Sequence, residues 1–526
     1  MSALSRPQQL SVAMIARDEQ AVIAETLDSI RGIADEILVL DTGSTDQTAM
    51  VAAEWGAKVF HAPWSHDFSV ARNQLLEEFQ GDWVLWLDAG ERLAPGSAEL
   101  LRQFIDAKAD RKTLYNVVVE VPAPSASYYA EQAAQARLMP AGAGIRFEGP
   151  VGESLRPSAE TAQLQLAQAP GKILCHPRRN DPKRRTEIAL RDLRIIARYR
   201  GQGNPLTPRV LVRLGEAYCQ LKQPVLAEQA FLQAVRTARR GSSEMLEGYY
   251  GLLTAMAADP TQLDRQLLAC TEALEVYPLD AQLLCTAGGY LQARGRLDLA
   301  ERSFRLAVQF GQIHTDTWHL VGLGDFAVAC LSASLQLQGK DDEARDVLEQ
   351  AVLRPQMSPR LGRQLVELHV KHGRVDEALR VAESLFSQAE MRRGMEKAVR
   401  GACKATRQQW TEAIADLQQA RAAGCDDPLC LRWLSAALIS AGRLEAAEPV
   451  VRQWQQAEPE NHEMLTYLRL LEYRPRSSDG GPSDGQAARE RTRRRRFDSP
   501  ASRPTAAESA APPIAREPAP EAGTTG

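Results

Sequence analysis

The chain has 526 residues, so at roughly 150 residues per domain it is long enough for three or four domains. Its 63 lysine and arginine residues against 67 aspartate and glutamate residues give a formal net charge of -4. Because duplex nucleic-acid binding depends on a strong positive field, this balance predicts no nucleic-acid partner.

Neither membrane insertion nor disulfide bonding is expected. The apolar run near the start ends at Arg17 and Asp18, and no later run approaches the roughly 18 apolar residues that a membrane span needs. We therefore predict no signal peptide and no membrane span. The eight cysteines contain no CxxC pair, which is typical of small buried side chains in a reducing compartment, so we expect a cytoplasmic protein.

The first third of the chain alternates short apolar runs with polar segments of helical character. The runs are Leu10 to Ala16, Glu36 to Leu40 and Trp83 to Leu87. Buried runs of this length, separated by helices, are typical of a parallel sheet built from βαβ units. We therefore predict an α/β domain over residues 1–200.

Acidic residues follow each of these runs. Glu19 comes after the first, Asp41 ends the second, and Asp88 and Glu91 follow the third. Open α/β sheets bind ligands at the carboxyl ends of their strands, so these residues predict the ligand crevice. For residues 42–46 a second interpretation stays open, in which Ser44 or Thr45 caps the next helix and Asp46 lies in its first turn.

Residues 205–472 show a helical repeat instead. Small residues recur at Ala300, Ala344, Ala378, Ala413 and Ala447, with spacings of 44, 34, 35 and 34 residues. The spacing and the glycine turns before these alanines fit the tetratricopeptide (TPR) pattern, with about six or seven repeats. We predict an all-α solenoid with a concave face.

Residues 473–526 contain many prolines, almost no large apolar residues and a cluster of arginines at Arg491 and 493–496. Such a segment cannot offset its ordering entropy, so we predict a disordered tail.

Five stretches of the first domain resemble GT-A type family 2 glycosyltransferases, in particular bacterial members with C-terminal TPR repeats, including the sublancin-type peptide S-glycosyltransferases. The stretches are VAMIARDE (12–19), ADEILVLDTGSTDQT (34–48), WSHDFSVARN (64–73), GDWVLWLDAGERL (81–93) and FEGPVGESL (147–155). The resemblance implies a Rossmann-like GT-A fold that binds a nucleotide-sugar, with UDP or dTDP as the nucleotide.

The resemblance assigns roles residue by residue. Asp41 would bind the nucleobase, Arg72 and Asn73 would lie near the nucleotide or diphosphate, and Asp88 would open the metal-binding DxD motif. Glu19 and Arg137 complete the residues that we assign to the nucleotide-sugar site, with Arg137 as a counter-charge.

Two positions depart from the pattern of the family. Gly90 stands where the motif has its second aspartate, and Gly152 stands where the subgroup has a histidine before Glu153. The predicted Mg²⁺ or Mn²⁺ would therefore depend on Asp88, helped by Glu91. The alternative is catalysis without metal, with Arg72, Arg137 or Lys172 as counter-charges. Glu153 is the predicted catalytic base, with Asp88 as the second catalytic residue.

Two functions remain as hypotheses. The first is an inverting hexosyltransferase that acts on a protein or peptide held by the concave face of the solenoid. The second is a degenerate scaffold in which the TPR repeats bind partners and the first domain has lost its activity.

Overall fold

The structure is a computed structural model, and it describes residues 8–123, 129–257, 259–353, 358–459 and 461–472. The predicted tail at 473–526 lies outside these residues. The first part of the chain is a mixed β-sheet flanked by helices. Its strands are β1 (Leu10–Ala16), β2 (Glu36–Asp41), β3 (Lys58–His61), β4 (Trp83–Trp86), β5 (Glu91–Leu93), β6 (Thr113–Val121), β7 (Glu131–Pro140) and β8 (Gln165–Cys175). Its helices are α1 (Ile23–Ser29), α2 (Thr48–Glu54), α3 (Phe68–Leu75), α4 (Ser97–Ala107) and α5 (Arg156–Thr161).

The order of the strands in the sheet determines where the crevice lies. Hydrogen-bonded neighbours follow the order β3-β2-β1-β4-β7-β6-β8-β5. The first four are parallel, whereas β7 is antiparallel to both β4 and β6. The chain builds outward from β1 to β2 and β3, then crosses to β4 on the other side of β1. The carboxyl ends of β1, β2 and β4 therefore surround the point where the order reverses, which is where open α/β sheets bind ligands.

The sheet core confirms the predicted strands. Residues in β1 and β4 alternate between the two faces: Met14 packs in the cluster on one face, and Ala13 and Trp86 pack in the cluster on the other. Both clusters are buried because helices cover both faces, which is why these strands read as continuous apolar runs. The mixed half, from β5 to β8, in which β6 and β8 are parallel and the other neighbours antiparallel, is an addition that the predicted βαβ pattern lacked.

The second part of the chain consists of helices and one short extended segment. A long helix, α6 (Pro182–Gly201), leads into it. The following helices are α7 (Pro208–Gln220), α8 (Pro224–Thr237), α9 (Ser243–Met256), α10 (Leu263–Val276), α11 (Ala281–Ala293), α12 (Leu297–Phe310), α13 (Leu323–Leu337), α14 (Asp341–Val352), α15 (Pro359–Lys371), α16 (Val375–Leu385), α17 (Gln388–Glu390), α18 (Glu396–Thr406), α19 (Trp410–Ala422), α20 (Pro428–Ser440), α21 (Leu444–Ala457) and α22 (His462–Glu472). None of the helices in the described ranges is long and apolar enough to cross a membrane.

Seven helix pairs follow one another from α7 to α21, with the short α17 between the fifth and sixth pairs. The predicted crossing residues are confirmed, because each lies in the second helix of its pair with 0% of its surface exposed: Ala300, Ala344, Ala378, Ala413 and Ala447. In the first helix of a pair, a glycine can allow the same close contact between the two helices. A Cβ on Gly215 would lie 2.6 Å from the ring of Phe231, so α7 and α8 could not pack as they do with a larger residue.

The 44-residue spacing between Ala300 and Ala344 has a structural explanation. The segment between α12 and α13 contains a short strand, β9 (His319–Leu320), which pairs antiparallel with the start of β7. The backbone N–H of Val321 donates to the Ala130 carbonyl at 2.8 Å, on the same edge. The additional residues of this repeat therefore fasten the solenoid to the sheet.

Side chains extend this contact along the solenoid. Tyr129, just before β7, packs edge-on against Phe326 of α13, and the guanidinium of Arg360 on α15 stacks 3.8 Å from its ring centroid. Arg156 of α5 pairs with Asp316 at 3.0 Å. The first domain thus contacts the solenoid through several consecutive repeats, and the two parts form a continuous structure.

Leu320→Asp is expected to loosen this junction. Leu320 is 3% exposed and packs with Ala281 and Leu323, so a carboxylate there is buried without a partner, at a cost of about 3 kcal/mol. Hydrogen exchange at the Val321 amide should then accelerate by roughly 10²-fold. The control is Leu353→Asp, the same change at a position that is 84% exposed. Equal exchange rates in both variants would contradict this account of the junction.

Candidate functional site

The loops after β1 and β2 are tied together at the carboxyl edge of the sheet. Asp18 accepts hydrogen bonds from the backbone N–H of Thr45 at 2.7 Å and from its hydroxyl at 3.1 Å. In return, the backbone N–H of Asp18 donates to the Ser44 hydroxyl at 3.0 Å. The two loops therefore form one fixed wall of the crevice.

Asp41, the last residue of β2, is 5% exposed at the base of this wall. Its Oδ1 accepts from the backbone N–H of Ser44 at 3.0 Å and from the Ser44 hydroxyl at 2.5 Å. Its Oδ2 lies 3.4 Å from Nδ1 of His61. The helix-cap interpretation is wrong for Ser44 and Thr45, because α2 begins at Thr48, whose N–H donates to Asp46 instead.

Asp88 follows β4 and is half-buried in the crevice, between two arginines. Its Oδ1 accepts from Nη2 of Arg72 at 2.8 Å, and its Oδ2 lies 3.6 Å from Nη2 of Arg137. Burial raises the pKa of Asp88, but the charges of Arg72 and Arg137 act more strongly in the opposite direction. They hold the pKa of this carboxyl well below its usual range, so Asp88 is ionised at neutral pH.

Arg72 is fixed by the aromatic side chains around it. It lies on α3 with 7% of its surface exposed, and its Cζ is 4.7 Å from the ring centroid of Trp86 and 5.1 Å from that of Phe147. Its Nε lies 2.5 Å from Oε1 of Glu153. One guanidinium therefore bridges two of the predicted catalytic carboxylates, Asp88 and Glu153.

Glu91 is committed to internal contacts. It is 3% exposed; its Oε2 accepts from the backbone N–H of Asp88 at 2.9 Å and its Oε1 from Arg137 at 2.8 Å. Burial raises the pKa of Glu91 above its ordinary value; the charge of Arg137 opposes this rise and that of Asp88 adds to it. Since both oxygens are in use, the predicted role of Glu91 as a metal ligand finds no support in this arrangement.

Gly90 has a conformation that suits glycine. Its φ is +94°, in the left-handed region, and its N–H donates to the Thr26 hydroxyl at 2.9 Å. A Cβ there would lie 3.3 Å from Val22 and 3.7 Å from His176. An aspartate at this position would be strained, and within the described ranges no group of three His, Cys, Asp or Glu side chains is placed to hold a metal ion.

The loop that carries Glu153 is closed on itself. The backbone groups of Glu148 and Ser154 bond each other in both directions, at 2.9 and 3.0 Å. Pro150 accepts from the N–H of Phe68 at the start of α3, so the loop is fastened beside Arg72. This geometry brings Glu153, from a distant part of the sequence, to the crevice.

Two other predicted residues serve structural contacts. The amide of Asn73 donates to the carbonyl of Phe147 at 2.9 Å and accepts from its N–H at 2.8 Å, so both of its polar atoms are used. Glu19 is 9% exposed and contacts Arg178 and Arg184. We therefore interpret Asn73 and Glu19 as residues that hold the crevice together.

Lys172, an alternative counter-charge, donates to Glu120 at 2.6 Å. The sequence interpretation gave no role to Arg178 and Arg184, which contact Glu19. It also gave none to Arg213 of α7, whose side chain lies against Gly152. Only the glycine itself, an unusual neighbour for Glu153, could have indicated that another side chain occupies the space.

The assembled crevice has a consistent chemistry. Asp41 offers an acceptor at one end, and Arg72 and Arg137 place positive charge around Asp88 at the centre. Glu153 lies on the far side of Arg72. Such a site can bind a polar ligand that carries a hydrogen-bond donor and negative charge, and can place a carboxylate beside it.

Comparisons with known families agree with both parts of the chain. Residues 11–138 match the family described as "Glycosyl transferase family 2". Residues 183–243 and 405–462 match the tetratricopeptide repeat. The sequence resemblance is thereby confirmed: a GT-A type α/β domain precedes a helical TPR region.

Among curated relatives, a TPR repeat-containing protein of Synechococcus elongatus is 46% identical over 19% of this chain and 24% of its own length. An uncharacterized glycosyltransferase of Rickettsia bellii is 32% identical over 21% of this chain and 37% of its own. The SPbeta prophage-derived glycosyltransferase SunS of Bacillus subtilis is 30% identical over 15% of this chain and 19% of its own length. The chain thus spans less than two thirds of the length of each of these relatives.

Two solved structures are similar to portions of this chain. A tetratricopeptide repeat protein from Parabacteroides merdae matches 50% of this chain and 98% of its own, with 14% identity and a TM-score of 0.36. A glucosyl-3-phosphoglycerate synthase from Mycobacterium tuberculosis, solved with Mn²⁺ and uridine diphosphate, matches 22% of this chain and 43% of its own, with 27% identity and a TM-score of 0.18.

Proposed function

We propose that this chain, a family 2 glycosyltransferase domain joined to TPR repeats, transfers a sugar from a nucleotide-sugar to a protein or peptide acceptor. The observation that carries the proposal is the bridge made by Arg72 between Asp88 and Glu153, at the carboxyl edge of the sheet. It places the charge that a departing diphosphate needs directly beside a carboxylate that can activate an acceptor.

The donor would lie along the wall formed by the loops after β1 and β2. Oδ1 of Asp41 is held by Ser44, and Oδ2, which lies 3.4 Å from Nδ1 of His61, has a second lone pair that would accept a hydrogen bond from a ring N–H of the base. Uracil and thymine present such an N–H, which favours a UDP- or dTDP-sugar. The diphosphate would then reach Arg72 and Arg137, whose guanidinium groups suit phosphate oxygens.

A divalent cation fits this site only as a partner of the bound nucleotide. Asp88 supplies one carboxylate, Glu91 is committed elsewhere, and position 90 offers no side chain. Mg²⁺ and Mn²⁺ bind through one or two carboxylates together with substrate phosphates, so Asp88 can serve such an ion. The ion would add positive charge at the leaving diphosphate.

This arrangement predicts a specific pattern of metal binding. Mn²⁺ alone is expected to bind the full chain only weakly, with a Kd above about 1 mM, because a single carboxylate already paired with arginines holds it poorly. With UDP present, Mn²⁺ binding should become measurable by electron paramagnetic resonance, and Asp88→Asn should remove it. Tight binding of Mn²⁺ without nucleotide would contradict the one-carboxylate site.

Transfer itself would proceed by in-line displacement with inversion. The acceptor atom forms a bond to the anomeric carbon of a hexose while the bond from that carbon to the diphosphate oxygen breaks. The acceptor proton passes to Glu153, and the nucleoside diphosphate leaves with the bonding electrons. Arg72 is placed to stabilise the negative charge that develops on the leaving group.

The solenoid is proposed to bring in the acceptor. Helix α7 begins its array and lies against the loop of Glu153, since Val151 packs with Ile195, Ile196 and Val210. A polypeptide that follows the repeats toward α7 would arrive beside the proposed base.

A degenerate scaffold is the second candidate. Gly90 and Gly152 favour it, because both stand where the family pattern has functional side chains. The scaffold hypothesis predicts partner binding by the repeats with no dependence on Arg72, Asp88 or Glu153.

The proposal is tested by calorimetric titration of the full chain with a panel of UDP- and dTDP-sugars, in Mn²⁺ and in EDTA. We expect micromolar binding of one nucleotide class, stronger in Mn²⁺, and lost in Arg72→Met. The control is Arg92→Met, which removes an exposed arginine paired with Glu25 at 3.4 Å. Absence of binding under both conditions would favour the scaffold.

A further inference from the structure

The loop of Glu153 meets the solenoid at Val151, which packs with Val210 of α7, and at Gly152. This glycine has a φ of +64°, and a Cβ placed on it would lie 2.9 Å from Cγ and 3.0 Å from Nε of Arg213. Arg213 belongs to α7, the first helix of the first repeat pair. The side chain of a solenoid residue therefore covers the loop backbone, in the space that a side chain at position 152 would take.

Arg213 is firmly held from its own side. Its Nη1 lies 2.7 Å from Oε2 of Glu216, one turn further along α7. The charge of Glu216 raises the pKa of Arg213, burial opposes this, and Glu247 of α9 and Asp192 of α6 act in the same direction as Glu216. Glu216 therefore holds the guanidinium directly, and the charges of Glu247 and Asp192 add to the attraction.

The loop has other attachments on either side of Gly152. Pro150 and Val151 fasten its first half to α3, α6 and α7. The bond between Glu148 and Ser154 closes its base. Gly152 and Glu153 lie between these attachments, with Arg213 over the first and Arg72 beside the second.

We propose that Arg213 is a positioning residue: from the first TPR repeat, it fixes the loop of residues 149–154 so that Glu153 faces Arg72 in the crevice. The first repeat is then a working part of the active site as well as a surface for the acceptor. The positional claim stands on the contacts alone, and its consequence for transfer rests on the proposed function. An acceptor that binds α7 would touch the helix that sets the catalytic loop.

Hydrogen exchange of the full chain tests the positional claim without a substrate. The amides of Glu148 and Ser154 are bonded only while the loop is closed, so they report on it. Arg213→Ala should accelerate their exchange at least about 10-fold. Arg209→Ala is the matched control, because Arg209 lies one turn earlier on α7 and pairs with Glu244 at 2.5 Å. It should leave both amides at the rate of the unmodified chain.

Two further variants keep the test decisive. Arg213→Lys retains the charge and part of the length, so it should restore most of the protection. Gly152→Ala acts from the loop side, because its Cβ displaces Arg213 and a φ of +64° strains an alanine; it should accelerate exchange even if Arg213→Ala folds poorly. Unchanged exchange in both Arg213→Ala and Gly152→Ala would overturn the proposal, as would an equal effect of Arg209→Ala.

Kinetics separate positioning from general support of the fold. With UDP-glucose or dTDP-glucose as the probe, whichever the unmodified chain hydrolyses, Arg213→Ala should lower kcat about 10-fold or more and leave KM within about twofold. An equal loss in UDP affinity, measured by calorimetry, would contradict positioning of Glu153. If the unmodified chain hydrolyses no member of the panel of UDP- and dTDP-sugars, the proposed function fails, while the exchange experiment still decides the role of Arg213.

Discussion

Glu153→Gln is expected to slow the release of nucleoside diphosphate from the donor about 10²- to 10⁴-fold, the usual contribution of a general base. Glutamine has nearly the same shape and can keep a contact with Nε of Arg72, which lies 2.5 Å from Glu153 in the unmodified chain. It cannot accept the acceptor proton. The Kd for UDP should therefore remain within about threefold, measured by calorimetry beside the rate.

The matched control for this variant is Glu148→Gln. Glu148 lies in the same loop, but its side chain is exposed and the loop uses its backbone groups. It should retain the full rate. If Glu153→Gln turns over donor as fast as the unmodified chain, Glu153 is not the base, and the water or acceptor is activated by another group.

Arg137→Met is expected to lower the free energy of unfolding of the first domain by about 3–5 kcal/mol. Arg137 is 6% exposed and donates to Glu91 at 2.8 Å and to Gln135 at 3.0 Å. Without it, the buried carboxylate of Glu91 loses its direct ion-pair partner. Urea titration followed by tryptophan fluorescence should detect the loss, because Trp83 and Trp86 are buried in the sheet.

A second substitution tests the cause. In the double variant Glu91→Gln and Arg137→Met, the uncompensated charge is removed, so most of the lost stability should return. Arg92→Met is the control. Arg92 follows Glu91 in β5 and forms an exposed ion pair with Glu25, so its loss should change the free energy of unfolding by less than about 1 kcal/mol. Purely additive losses in the double variant would contradict a charge-pair origin.

Much of the fold could be predicted from the sequence, because its signals are local. The strands β1, β2 and β4 are buried on both faces, so each reads as an apolar run. The repeat alanines lie where two adjacent helices cross, which fixes their period. The mixed half, from β5 to β8, was missed because its strands combine polar and apolar residues, as in the exposed start of β8. The pairing of β9 with β7 joins residues almost 190 positions apart, and the irregular spacing revealed only that extra residues were present.

The site was harder to predict because its partners are distant in sequence. Asp41 and Asp88 could be placed from their positions after strands. Glu91 and Asn73 carry suitable groups, but the fold commits these groups to Arg137 and to the backbone of Phe147. The role of Arg213 depends on docking of the solenoid, which no local pattern encodes.

Turnover of donor by the full chain decides whether this crevice is a working transferase site. Purified protein is incubated with the panel of UDP- and dTDP-sugars in Mn²⁺, and the release of free UDP or dTDP is followed over time, with Asp88→Ala beside it. We expect slow hydrolysis of at least one sugar by the unmodified chain and none by Asp88→Ala. Binding without release, or release that persists unchanged in Asp88→Ala, would contradict a working transferase site at this crevice.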